Sequence, residues 1–180
     1  MSTSHSILVT GGAGFIGSHL VEYLLSLGHR VTVLDNFRNG KRENLEDVAA
    51  NPACKIIHGD IRDLHTCEKA CEGVEYVFHL ACMGVRHSLH NPHENHQVNA
   101  TGTHHMLQAS KRAGVGKFVY VSTSEVYGRA SDFPIVEGTA TWPLTVYGAS
   151  KLAGEHYTRA FDECFGLKTT RIRTFNNYGP

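Results

Sequence analysis

Val9-Thr-Gly-Gly-Ala-Gly-Phe-Ile-Gly-Ser18 sets Gly11, Gly14 and Gly17 at three-residue steps. Ahead of them the β-branched and apolar run 7–10 reads as a strand. Behind them Phe15, Ile16, His19, Leu20, Tyr23, Leu24 and Leu27 recur at helical spacing. A strand that turns at once into a helix over glycines has a steric logic. The tight turn, the approach of backbone to a pyrophosphate and the packing of helix on strand each exclude a Cβ. The helix N-terminus meanwhile offers unpaired amides and partial positive charge to phosphate. A merely tight turn would account for the glycines alone, but the dinucleotide-binding pattern demands more. It requires an acidic residue about 20 positions on, at the end of the second strand, and Asp35 fills that place.

Outward from this unit, further strand candidates lie at 31–35, 55–58, 74–80, 117–122 and 168–174. Helical patterns alternate with them: Leu64, Cys67 and Cys71, then Leu152, Tyr157, Phe161 and Cys164, with Gly28 and Gly73 placed to close two helices. Six strands joined through helices predict an α/β fold, a doubly wound parallel sheet of the Rossmann type in the order 3-2-1-4-5-6. The least regular stretch, 129–145, carries Pro134 and Pro143 and reads as a loop over the carboxyl edge of the sheet. The whole chain, 1–180, is expected to form one domain.

Composition narrows the function classes. The 180 residues hold 17 Lys+Arg against 17 Asp+Glu, so no basic footprint for nucleic acid is visible. No apolar run approaches the ~20 residues that span a bilayer. The start lacks a secretory leader, and five cysteines at irregular spacing suit a reducing compartment, so a cytoplasmic location is expected. The 13 histidines would turn this neutral chain into a cation in mildly acidic buffer.

A carboxylate at Asp35 accepts ribose hydroxyls and repels a 2′-phosphate, which argues for NAD over NADP. Arg38 and Lys41 nearby argue the other way, but they fall in a loop with Asn39-Gly40, whereas Asp35 ends the strand. After the third strand, Asp60 is placed to bond an adenine amine and Ile61 to pack on its ring; by spacing, Asp60 serves equally well as the cap of the next helix. Tyr147 and Lys151 stand four apart on a predicted helix, on one face. A phenol with a pKa near 10 is a poor base at neutral pH, and a neighbouring ammonium favours phenolate, so the pair is a candidate proton-transfer couple.

Together these residues resemble the extended short-chain dehydrogenase/reductase family, in particular its NAD-dependent nucleotide-sugar epimerases, dehydratases and decarboxylases. Further stations are Gly59-Asp60-Ile61-Arg-Asp63, His79-Leu-Ala81, Asn99-Ala-Thr-Gly102, Ser122-Thr-Ser-Glu-Val-Tyr-Gly128 and Arg173-Thr-Phe-Asn176 before Tyr178-Gly-Pro180. The resemblance implies that Gly11, Gly14, Phe15, Ile16, Gly17, Asp35, Asn36, Asp60, Ile61, Leu80, Ala81 and Asn99 hold NAD, together with Tyr147 and Lys151. It implies that Tyr147 is the catalytic base, tuned by Lys151. Thr123, Ser124 and Asn176 would meet a nucleotide-sugar substrate, Thr123 at its 4-hydroxyl.

The shared first step implied is oxidation at sugar carbon 4 to a bound 4-keto sugar. Return of hydride to the other face gives an epimer, and this reading leads because it asks least of the residues present. Glu125 occupies the position of a carboxylate used by dehydratases and uronate decarboxylases, which is the alternative; a local turn contact is the other reading of it. Ser124 stands where thymidine-nucleotide 4,6-dehydratases carry aspartate, which speaks against that activity. A further alternative is an NAD-binding domain without turnover, because relatives continue past a Tyr-Gly-Pro station into a smaller substrate domain, expected here beyond residue 180. The resemblance also implies a homodimer, built through helices near 94–113 and 146–165. His87, His90, His93 and His96 recur every third residue, but Pro92 interrupts a helix through them, so no metal site is expected. Arg86, His87 and Ser88 are expected in a loop over the nicotinamide.

Overall fold

In the computed structural model, residues 4–130 and 133–179 are described. Ser131 and Asp132 of the 129–145 loop, and Pro180 of the Tyr178-Gly-Pro station, lie outside them. The chain runs β1 (Ser6–Thr10), α1 (Phe15–Ser26), β2 (Arg30–Asp35), α2 (Glu46–Ala49), β3 (Cys54–His58), α3 (Leu64–Cys71) and β4 (Tyr76–His79). It continues through α4 (Val85–His90), α5 (Pro92–His96), α6 (Thr103–Ala113), β5 (Lys117–Thr123), α7 (Val146–Phe165) and β6 (Thr169–Thr174). The six strands form one sheet in the order β3-β2-β1-β4-β5-β6. Every pairing is parallel, as the strand–helix alternation requires.

Successive strand residues point to opposite faces, and both faces are covered. Ile7, Val9, Val31 and Val33 pack with Val21, Leu24, Leu25, Leu45 and Val48 from α1, α2 and the turn before α2. Leu8, Leu34, Val77, Phe118 and Tyr120 pack on the other side with Cys67, Cys71, Met106, Leu107 and Phe161 from α3, α6 and α7. Gly28 and Gly73 end their helices at φ of +82° and +67°, in the left-handed region that suits glycine. β4 is shorter than the apolar run 74–80, because Val74 donates its amide to Cys71 O and so belongs to the turn that closes α3.

One expectation is overturned after β4. Arg86, His87 and Ser88 form no loop; they lie inside α4, where the Ser88 amide donates to Gly84 O and its hydroxyl to Val85 O. Pro92 separates α4 from the following helix by opening it, where its missing amide costs nothing, and the Asn91 side chain caps the turn by accepting from Glu94 N. From Pro92 to Ala113 the chain is helical throughout, with a π-helical turn over Gln97–Gly102 between α5 and α6.

Register places Thr10, Asp35, His58, His79, Thr123 and Thr174 together at the carboxyl edge of the sheet. The strand order reverses between β1 and β4, and a crevice opens there, as open α/β sheets dictate.

Candidate active site

The floor of the crevice is the glycine turn. Gly11 has φ of +70°, and a Cβ there would lie 2.8 Å from Ala81 N. A Cβ on Gly17 would meet Gly11 O at 2.2 Å, so only glycine lets α1 press against the turn. The Gly14 amide donates to Gly11 O and the first intrahelical bond runs from Ser18 N to Gly14 O. The amides of Phe15, Ile16 and Gly17 are therefore left to an external acceptor. Asp35 ties this turn to the end of β2: its Oδ2 accepts from Ala13 N at 3.0 Å and its Oδ1 from Phe37 N at 2.8 Å. Two of its roughly four lone-pair sites stay open.

Beside it, the Asp60 carboxylate accepts from Asn36 Nδ2, from Arg62 N and from the Arg62 guanidinium at 2.7–3.0 Å. Partial burial pushes this carboxyl up, but the bonds from Arg62 and Asn36 outweigh it and hold it at about 2. The cap of α3 is Asp63, which accepts from His65 N, so Asp60 is not the helix cap that its spacing also allowed.

The opposite wall comes from β5 and α7. Thr145 opens α7 by accepting from Gly148 N, and Tyr147 in the first turn and Lys151 one turn further both reach the crevice. Lys151 is only 2% exposed. Its Nζ donates to Val121 O at 2.7 Å and sits 4.4 Å from the centre of the Tyr120 ring. An ammonium has three donors, so two remain for a ligand. Burial pushes the Tyr147 phenol above its ordinary value and Cys82 adds to this, while Lys151 and a hydrogen bond with Thr123 pull it back part of the way. Thr123 Oγ1 accepts from Glu125 N at 3.2 Å. Glu125 is exposed on this wall, its carboxylate touched by the Thr145 hydroxyl at 3.4 Å, so the local turn engages its amide rather than its acid.

The cleft holds about 520 Å³, within the roughly 300–1,000 Å³ of small-molecule sites. Its residues fit a dinucleotide on three counts. The free amides at α1 suit a pyrophosphate. Lys151 keeps two donors in a water-poor corner. The Ser122 hydroxyl is buried against the cleft and, among the described residues, has no hydrogen-bond partner, the mark of a group awaiting a ligand. No group of three or more His, Cys, Asp or Glu side chains that could hold a metal is found among the described residues.

Residues 8–180 match the family model described as GDP-mannose 4,6 dehydratase. The chain belongs to that family. Within the GDP-mannose 4,6-dehydratase-like family, the chain is 37% identical over 176 residues to a putative UDP-glucose 4-epimerase from Methanocaldococcus jannaschii, covering 96% of this chain and 56% of that protein. It is 37% identical to UDP-glucuronic acid decarboxylase 1 of Arabidopsis thaliana, covering 97% of this chain and 40% of the relative. Among solved structures it is similar to dTDP-glucose 4,6-dehydratase from Streptomyces venezuelae, solved with NAD bound. That match has a TM-score of 0.93 and 39% identity, covering 97% of this chain and 57% of the other. The chain thus spans about half the length of the curated relatives it matches. These relatives are enzymes that act on nucleotide sugars.

For this family member, the structure brings nearly all the sequence-predicted residues to one cleft. Gly11, Gly14, Phe15, Ile16, Gly17, Asp35, Asn36, Asp60, Ile61, Leu80, Ala81, Thr123, Ser124, Glu125, Tyr147, Lys151 and Asn176 all line it. Asn99 does not, and this corrects its expected contact with cofactor. It is 1% exposed, its Oδ1 accepts from Met83 N, and its Nδ2 donates to Met83 O and Ser150 Oγ, so its amide is spent holding the wall from behind. Cys82 lines the cleft just after β4, as its place behind His79-Leu-Ala81 suggests, and sequence reading missed Met83, Gly84 and Val85 beside it. Their signal was their place: residues that leave a strand at the reversal of strand order face the crevice. Asn39 and Gly40 were passed over as loop surface, and they line it too.

Proposed function

We propose that this chain is the NAD-binding part of a nucleotide-sugar 4-epimerase. The observation that carries the reading is the convergence of Thr123, Tyr147 and Lys151 on the wall of a cleft whose floor is the glycine turn. NAD, when bound, accepts the hydride from sugar carbon 4 and returns it. The α1 amides hold its pyrophosphate, Asp35 its adenosine ribose, and Lys151 its nicotinamide ribose. Thr123 bonds the sugar 4-hydroxyl and aims it at Tyr147. Tyr147, as phenolate, takes the hydroxyl proton as the 4-ketone forms and gives it back when the alcohol is restored, so the phenolate ends each cycle as it began. Inverting carbon 4 then asks only that the ketone present its other face, with no further acid or base.

A second reading has one observation in its favour. The Glu125 carboxylate is exposed at the cleft and, among the described residues, carries only the long Thr145 contact, which leaves it free to act near carbon 5 or 6 in a dehydration or uronate decarboxylation. Proton NMR in deuterated water of UDP-hexoses, GDP-mannose and UDP-glucuronate, incubated with NAD and the protein, separates the two. A new sugar with no carbon-bound deuterium supports epimerisation. Deuterium at carbon 5 or 6, with loss of water or carbon dioxide, overturns it in favour of Glu125 chemistry. The same reading puts a homodimer contact on the outer face of α6 and α7, which sedimentation velocity would register as twice the monomer mass.

A further inference from the structure

The loop after β2 carries Arg38 three residues past Asp35, and its neighbours Asn36, Asn39 and Gly40 all line the cleft. Arg38 itself does not. Its Nη1 donates to Glu94 Oε1 on α5, across the mouth of the crevice. Glu94 is placed to hold it: its side chain is only 12% exposed, Arg62 Nη1 donates to Oε1 at 3.3 Å, Asn91 Nδ2 donates to Oε2 at 3.2 Å, and His87 Nε2 lies 3.0 Å from Oε2. Arg62 in turn grips Asp60 at the cleft. A parallel tie joins the same two segments, Asn39 Nδ2 donating to Met83 Sδ at 3.3 Å. One carboxylate on α5 therefore gathers Arg38 from the β2 loop and Arg62 from the β3 loop.

The chemistry of that position gives the arrangement a consequence. A guanidinium is a planar fork that matches a phosphate with two parallel hydrogen bonds, and an arginine just past the second strand is the group that accommodates a ribose 2′-phosphate in dinucleotide folds. Left to itself, Arg38 lies within a few residues of where that phosphate would have to sit. Engaged by a largely buried carboxylate, it is withdrawn. We infer that Glu94 is a specificity-determining residue: by holding Arg38 away from the adenosine ribose, it denies a 2′-phosphate its cation and so excludes NADP alongside Asp35. The inference rests on the reading that this cleft binds NAD. It divides the selectivity between two carboxylates, one that repels the phosphate and one that removes its partner.

Calorimetric titration of the chain with NAD and with NADP tests it. Glu94→Gln, which keeps the size of the side chain and one acceptor oxygen while removing the charge that holds Arg38, is expected to lower the NADP-to-NAD ratio of Kd about tenfold, or 1.4 kcal/mol. Glu94→Asp, which keeps the charge but withdraws it from Arg38, moves the ratio the same way by less and serves if the Gln variant folds poorly. Adding Arg38→Gln to either should abolish the gain. An unchanged ratio, with both dinucleotides weakened alike, would mean that Glu94 only braces the loops, and a gain that survives the loss of Arg38 would remove the proposed carrier; either overturns the inference. A wild-type chain that binds neither dinucleotide would instead overturn the NAD reading beneath it.

Discussion

Tyr147 is the residue at which burial and charge compete. Its phenol is withdrawn from water, which favours the protonated form, and the nearby Cys82 works in the same direction. Lys151 and Thr123 oppose this without cancelling it. In the chain alone, burial therefore outweighs the pull of Lys151 toward phenolate. Bound NAD would add a positively charged nicotinamide to the Lys151 ammonium, and opposite charge within a few ångströms favours phenolate. Ultraviolet titration of the wild-type chain minus Tyr147→Phe should show a phenol ionising above the ordinary tyrosine range without NAD, and at distinctly lower pH once NAD is added. An ionisation unmoved by NAD would leave Lys151 as a ribose ligand and remove it as a tuner of the base.

Among the elements, the helical run Pro92–Ala113 does more than cover the sheet. Its π-helical turn carries Asn99, and one turn earlier Asn95 donates to Met83 O, so both amides clasp the backbone of the segment leaving β4. On the other side of the turn Gly102 lets the helix approach Ile61, since a Cβ there would lie 2.7 Å from Ile61 Cδ1. The run thus sets two cleft walls, at Met83 and at Ile61, and puts Val98 of its own on the lining. Asn99→Ala leaves the buried Met83 amide without its acceptor, while Asn95 still serves the Met83 carbonyl, so the expected loss is about 1–3 kcal/mol for the one group left unsatisfied. Urea unfolding should show that loss together with weaker NAD binding. A variant of unchanged stability that binds NAD poorly would instead restore Asn99 to direct contact with the cofactor.

At the scale of the whole molecule, a fully buried histidine joins the sheet to that helix. Thr103 donates its hydroxyl to Asn99 O and so accepts from His79 Nε2, 3.0 Å away, which leaves His79 Nδ1 to accept from the Thr10 hydroxyl at 2.7 Å. Thr10 Oγ1 then accepts from Ala81 N at the cleft floor. The imidazole is held neutral: burial, with Lys151 adding to it, pushes its pKa down to about 3. An unfolded histidine protonates near 6.5. Between these two values the unfolded chain binds a proton that the folded chain refuses. Stability is therefore present above about pH 6.5 and is lost as pH falls, with a slope approaching about 1.4 kcal/mol per pH unit. Asp60, held at about 2, adds its own loss below the ordinary aspartate range, where the unfolded carboxyl protonates first. Urea denaturation between pH 7 and pH 4 should show this decline, and His79→Asn should flatten it; equal slopes would assign the acid sensitivity to other groups among the 13 histidines.

What the sequence alone determined were the features whose causes are local. Glycines at 11, 14 and 17 are required by contacts within their own turn, Asp35 by the length of one strand–helix–strand unit, and the pair Tyr147 and Lys151 by the pitch of one helix. The strand order followed as well, because parallel strands joined through helices admit few arrangements. Tertiary structure decided whatever depends on a partner far along the chain. The spacing of Asn99 looks the same whether its amide meets a cofactor or a backbone 16 residues earlier. Arg38 reads as solvated loop until Glu94, 56 residues on, is seen to hold it. A side chain's chemistry is written in its own residue, but a hydrogen bond or an ion pair belongs to two, and only the packed chain brings the second within reach.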